Sequence, residues 1–162
     1  MRKLLYIPFI VLLTGCFSHW SEEDREEFEA ECTNTKTFSN EVFSFRGFDD
    51  AEFYSISVIE YNGTTPIDTF SISVSPARDD FDRKHKRRTG STDREMNVDY
   101  TYHFLIPGQK PYVLSDMKMI IWAQYTMFSE GYGCVMGNYT IDGVRFEQDA
   151  NPEFVKRNIQ SK

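Results

Sequence analysis

From residue 41 onward apolar and polar residues alternate with a period of two, as half-buried strands require. Phe43 and Phe45 share one face of a short segment ending near Gly47. Between Phe53 and Tyr61, residues Tyr54, Ile56 and Val58 point one way and Ser55 and Ser57 the other. After the turn NGTTP, Phe70, Ile72 and Val74 alternate with Thr69, Ser71, Ser73 and Ser75, so the two stretches read as a hairpin with one wet face. The clearest strand runs from Met96 to Ile106 and is stopped by Pro107-Gly108. From Met117 to Phe128 the middle is apolar on both faces, which predicts a central strand covered twice, or a sheet face whose Trp122 is covered by a helix or a partner. Asp142-Gly143, between Ile141 and Val144, predicts a type I′ hairpin with positive φ at both turn residues.

About seven strands in roughly 110 residues suit an antiparallel two-sheet sandwich, immunoglobulin-like or transthyretin-like, over residues 41–147. The Cys, Trp and Cys spacing of antibody domains is missing, because Cys32 precedes the first strand and Trp122 comes late. Residues 148–162 carry little that is apolar beyond Phe154, Val155 and Ile159, so this tail is expected to be loosely docked.

Ahead of the strands the pattern changes. Residues 22–31 hold seven acids against Arg25, after a Ser21 suited to cap a helix whose positive end those acids favour. Trp20, Phe28 and Cys32 form a thin apolar stripe. Residues 16–40 therefore read as a tether that is either solvated or a short helix docked through Phe28.

The N-terminus has Arg2 and Lys3, an apolar run from Leu4 to Leu13, and Thr14-Gly15 directly before Cys16. Ten apolar positions are too few for a transmembrane helix of about 20 residues. The stretch LTGC resembles the lipobox of bacterial lipoproteins, and residues 1–15 resemble their signal peptide. The resemblance implies a diacylglycerol on the Cys16 thiol, cleavage ahead of it and further acylation of the new amine, giving a stable membrane anchor in the cell envelope. Phe17, where an Asp would favour inner-membrane retention, implies sorting to the outer membrane, at its periplasmic face or the cell surface. With Cys16 lipidated, Cys32 and Cys134 remain as one pair in an oxidising compartment, and a disulfide is the simplest assignment; two buried free thiols are the alternative.

Charge narrows the partners. The chain carries a net −7, and removal of residues 1–15 would leave 16 Lys plus Arg against 25 Asp plus Glu, which gives no global attraction to nucleic acid. Against that background the six residues Arg83 to Arg88 hold five basic side chains, Arg83, Lys84, Lys86, Arg87 and Arg88, together with His85, inside a link spanning residues 76–95. A link of that length is either functional or simply solvated. Its basic core fits an anionic partner such as a lipid-linked phosphate, an acidic glycan or an acidic protein surface, and the acidic tether offers a contact within the chain.

Catalytic and metal signatures are missing. No nucleophile elbow, zincin or phosphate-loop motif occurs, and Asp80-Phe81-Asp82 fails as a calcium loop because Lys84 takes the next ligand position. His19, His85 and His103 are scattered, and no cofactor is implied beyond the lipid on Cys16. Asp49, Asp50 and Glu52 are the carboxylates a glycan or peptide hydrolase would have to pair across a cleft. The sequence thus points to a non-enzymatic envelope lipoprotein that contacts a protein or glycan through the basic link and Trp122. An immunity or inhibitor lipoprotein against an envelope-targeted toxin is the alternative, and an envelope hydrolase the rival.

Overall fold

A computed structural model describes residues 21–39, 41–125 and 130–157. Cys16, the expected signal peptide, His19, Trp20 and Met127 lie outside the described residues. Helix α1 (Glu22–Asn34) begins at Ser21, whose hydroxyl accepts from the Asp24 N–H while the Asp24 carboxylate accepts from the Ser21 N–H. The Ser21 hydrogen bonds hold the Asp24 carboxyl below its ordinary range. No helix among the described residues is long and apolar enough to cross a membrane.

The strands follow as β1 (Thr37–Phe38), β2 (Val42–Arg46), β3 (Ser57–Asn62), β4 (Thr65–Ser71), β5 (Ser73–Val74), β6 (Arg87–Ser91) and β7 (Met96–Asn97). After them come β8 (Thr101–Leu105), β9 (Tyr112–Tyr125), β10 (Glu130–Ile141), β11 (Val144–Phe146) and β12 (Glu153–Val155). A second helix, α2 (Asp80–Lys84), precedes β6. The larger sheet has the order β11-β10-β9-β8-β3-β4 and is antiparallel throughout. The smaller has the order β12-β2-β6-β5, and β1 and β7 form a two-stranded ribbon.

Their inner faces meet in an aromatic core. Phe43 and Phe45 of β2 are fully buried, as are Val58, Tyr102, Phe104, Tyr112 and Leu114 of the larger sheet. Phe43 meets Phe104 edge-on at 5.0 Å, and Phe154 of β12 lies 4.3 Å from Phe104 and 5.4 Å from Phe45. The protein is thus mainly β and built as a two-layer, predominantly antiparallel sandwich.

Among the described residues seven strands reach five residues or more, and five shorter ones complete the sheets. The Asp142-Gly143 turn has φ of 51° and 81°, as its type I′ reading requires, and joins Ile141 to Val144. Other expectations are corrected. The strand expected from Phe53 starts at Ser57, because Asp49 and Glu52 cap a 3₁₀ turn over Asp50–Phe53 that leaves Tyr54 exposed. The hairpin strand expected to reach Val74 breaks at Ile72: β4 stays with β3, while β5 crosses to pair with β6. Met96 to Ile106 is likewise divided, by a turn in which the Tyr100 N–H donates to the Asn97 carbonyl.

The largest corrections concern the link at 76–95 and the tail. The link is not a loop, since α2 and β6 lie within it and β6 is an inner strand of the smaller sheet. The tail is not loose. β12 runs parallel to β2, Phe154 is fully buried, and the Arg157 guanidinium lies 3.9 Å from the centre of the Tyr112 ring while donating to the carbonyls of Lys110 and Pro111. The sandwich therefore extends past residue 147, to Arg157 at least. From Glu22 onward the tether belongs to it as well, because Cys32 is disulfide-bonded to Cys134, with Cα atoms 5.5 Å apart.

Candidate functional site

Strand β9 alternates Met117, Met119 and Ile121 with Lys118, Ile120 and Trp122, and the first two methionines are buried. On β10, Met136 stands opposite Met119 and Cys134 opposite Ile121, so the disulfide fastens the last turn of α1 to this hairpin. Buried Gly137 is required by close approach, since a Cβ there would come within 2.0 Å of the Ile120 side chain.

Helix and hairpin enclose an open groove of about 830 Å³. One wall is Arg25, Glu29 and Thr33 of α1; Ile120, Ile121, Trp122, Ala123, Tyr132 and Asn138 come from the hairpin, and Gln148 closes one side. The Gln148 N–H donates to the Asn138 side chain at 2.9 Å, fixing that edge. Arg25 is committed to Glu22 at 3.0 Å and Glu29 at 4.0 Å. The helix leaves Trp122 40% exposed. Of the two coverings that the sequence permits for this residue, the helix supplies only a wall beside it.

The five basic residues do not form one surface. Arg83 pairs with Asp80 on α2, Lys86 with Asp49, and Arg88 with Asp50. Arg88 turns to the inner side of β6, opposite Phe45, and lays its guanidinium 5.9 Å from the Phe53 ring centre. Arg87 points outward beside Glu153, at 3.9 Å. Among the described residues Lys84 has no ion-pair partner. Lys86, Arg87 and Arg88 meet, among the described residues, the FDDAE segment and β12, not the acidic tether that the sequence offered as one possible contact.

That segment is itself a charge cluster. Lys156 Nζ lies 2.7 Å from Glu52 and 3.3 Å from Asp49, and Gln109 donates to the other Glu52 oxygen at 3.0 Å. Lys86 and then Lys156 hold the Asp49 carboxyl well below the usual range. Burial pushes Glu52 up, but the bonds from Lys156, the Asp49 N–H and Gln109 outweigh it and its pKa is lowered. Asp49 and Glu52 are bound to cations that favour their ionised forms, the reverse of what a general acid requires, and Asp50 is paired with Arg88.

A second polar group is internal. Buried Glu60 accepts from the Tyr102 hydroxyl at 2.8 Å, that hydroxyl accepts from the Asn97 N–H at 2.6 Å, and Arg94 closes the set 3.6 Å from Glu60. Burial drives the Tyr102 hydroxyl far above its ordinary pKa, so it stays a donor. Among the described residues no three His, Cys, Asp or Glu side chains are arranged to hold a metal ion.

Fold and groove together define a disulfide-stapled β-sandwich with a large open cleft. Comparison with protein-family models, curated proteins and solved structures found no match. Sequence reasoning singled out Trp122 but missed the groove around it. The acids of α1 were the available signal, because a charged helix bolted beside an apolar strand makes a cleft with one polar wall.

Proposed function

We propose that this chain is a lipid-anchored protein of a bacterial envelope that holds a partner protein in the groove between α1 and the β9–β10 hairpin, without catalysing a reaction. The observation that carries the reading is Trp122, an indole left 40% exposed in the groove. Removing such a ring from water is among the most favourable single contacts a partner can make. The occupant is a segment of the partner with an apolar side chain for the indole and flanking Lys or Arg. Charge complementarity supports this, because residues 22–31 place seven acids on α1 and its one Arg is already paired.

The lipobox-like LTGC supports the anchor and, with Phe17, the outer membrane as its location. A lipid on Cys16 would hold α1, and with it the groove, close to the membrane surface, which restricts partners to envelope proteins.

A photo-crosslinking residue at Ile120, introduced into the full-length chain in intact bacteria, tests the reading. One discrete protein adduct is expected, weakened on reversing Glu29 to Lys and lost on Trp122→Ala, which should raise the partner's Kd by about 30-fold. An adduct pattern unchanged by Trp122→Ala would overturn the groove as the binding surface.

A further inference from the structure

On the outer face of the smaller sheet, Arg46 of β2 stands directly opposite Arg87 of β6 in the antiparallel ladder. Like charges in that position repel. One carboxylate stands between them, Glu153 of β12, at 2.9 Å from Arg46 and 3.9 Å from Arg87. Asp82, from α2, is close enough to Arg87 to be influenced by it, but it is paired with Arg78 at 3.0 Å. Within the depression two guanidiniums, Arg46 and Arg87, therefore share one carboxylate, Glu153. The depression is short of an anion in a protein that is acidic overall.

Beside the arginines an aromatic shelf is exposed. Phe81 is 55% accessible, and its ring lies 4.0 Å from that of His85. His85 Nδ1 lies 2.9 Å from the Phe81 carbonyl, which can only accept, so Nδ1 carries a hydrogen, and in the neutral ring Nε2 can accept from a ligand hydroxyl. Arg46, Phe81, His85, Arg87 and Glu153 line a shallow depression of about 330 Å³.

We propose that this depression binds an acidic saccharide, its carboxylate or phosphate held by Arg46 and Arg87 and its sugar ring laid on Phe81. Guanidiniums match such an anion in charge and in planar geometry. An exposed aromatic ring takes the apolar C–H face of a sugar, and His85 offers an acceptor for a hydroxyl. The acidity of the whole chain disfavours a long polyanion, which would meet repulsion beyond the depression, and favours a short ligand with one anionic group. The site shares no residue with the Trp122 groove, so either can fail without the other.

Calorimetric titration of the purified chain with a uronic acid disaccharide, a neutral disaccharide and inorganic phosphate tests this. The acidic disaccharide should bind in a salt-dependent way, at least about tenfold tighter than either control. Arg46→Gln with Arg87→Gln should abolish that binding, and Phe81→Ala should weaken it several-fold while leaving the weak response to phosphate unchanged. Glu153→Gln separates a ligand site from a plain ion pair. It should lower the melting temperature of the free protein at low salt, strengthen saccharide binding by removing the competing carboxylate, and regain its stability when the saccharide is added. Trp122→Ala should change none of these. Equal affinity for the neutral disaccharide, insensitivity to Phe81→Ala, or weakened binding in a folded Glu153→Gln variant would each overturn the proposal.

Discussion

At Glu41 a carboxyl group is drawn into the protein ahead of β2, and burial raises its pKa to about 7 despite a bond from the Val42 N–H. In the unfolded chain the same group ionises near 4.5. Between those values the native state holds a proton that the unfolded state has released, so this group's contribution to stability falls as pH rises through that window. The penalty is complete above pH 7 and absent below pH 4.5. Glu41→Gln should therefore stabilise the protein at pH 8, by an amount on the order of 1 to 3 kcal/mol, with no gain at pH 4. Urea unfolding at the two pH values checks this; an equal gain at both would mean that charge burial is not the cause. None of this is visible in the sequence, where Glu41 is one of 25 acids. Desolvation depends on what the rest of the chain places around a residue.

Among the elements, α1 shows the largest gap between what local sequence supports and what forms. Its 13 residues would be marginal as a free helix, and its acids repel one another along its length. The Ser21 cap stabilises one end, and the bond from Cys32 to Cys134 ties the other to β10 across a separation of 102 residues. Replacing both cysteines by alanine should cost about 4 to 5 kcal/mol by the chain-entropy account. The amides of α1 should lose their hydrogen-exchange protection while those of β8 and β9 keep theirs. Simultaneous loss in helix and strands would show instead that α1 is an integral part of the folding unit.

Strand β6 illustrates the opposite difficulty. Its residues RRTGS carry no apolar alternation, yet it is an inner strand. Arg88 covers the core side with its stem and pairs its head with Asp50, at the edge of the charge cluster. Gly90 stands where a Cβ would come within 2.5 Å of Ile72 and 2.9 Å of Phe45, so its partners supply the apolar contacts that it lacks. A strand whose packing is provided by its neighbours has no periodic signal of its own.

At the scale of the molecule, the two sheets are joined where the sequence looked least promising. Phe154 contacts Phe43 and Phe45 of the smaller sheet and Phe104 and Tyr112 of the larger. Phe154→Ala should cost about 3 to 5 kcal/mol and leave a cavity between the sheets. Denaturant unfolding should show the midpoint falling with the slope retained. A cost below about 1 kcal/mol would mean that the tail is dispensable and the sandwich closes without it.

The alternation of side chains by itself determined the fold class, the long strand β9 and the Asp142-Gly143 turn, because those depend on neighbours in the chain and on a period of two, whereas the pairing of β9 with β10 came from the structure. The resemblance of LTGC to a lipobox likewise rests on a linear segment and involves no tertiary structure. Tertiary structure alone decided the rest. It switched the chain between sheets at Ile72, drew the tail into the core through one phenylalanine, and distributed the basic residues among Asp49, Asp50, Asp80 and Glu153. It also set α1 beside Trp122 to make a groove. Contacts between residues far apart in sequence depend on which surfaces the sheets bury against each other, and that choice leaves no local periodicity to read.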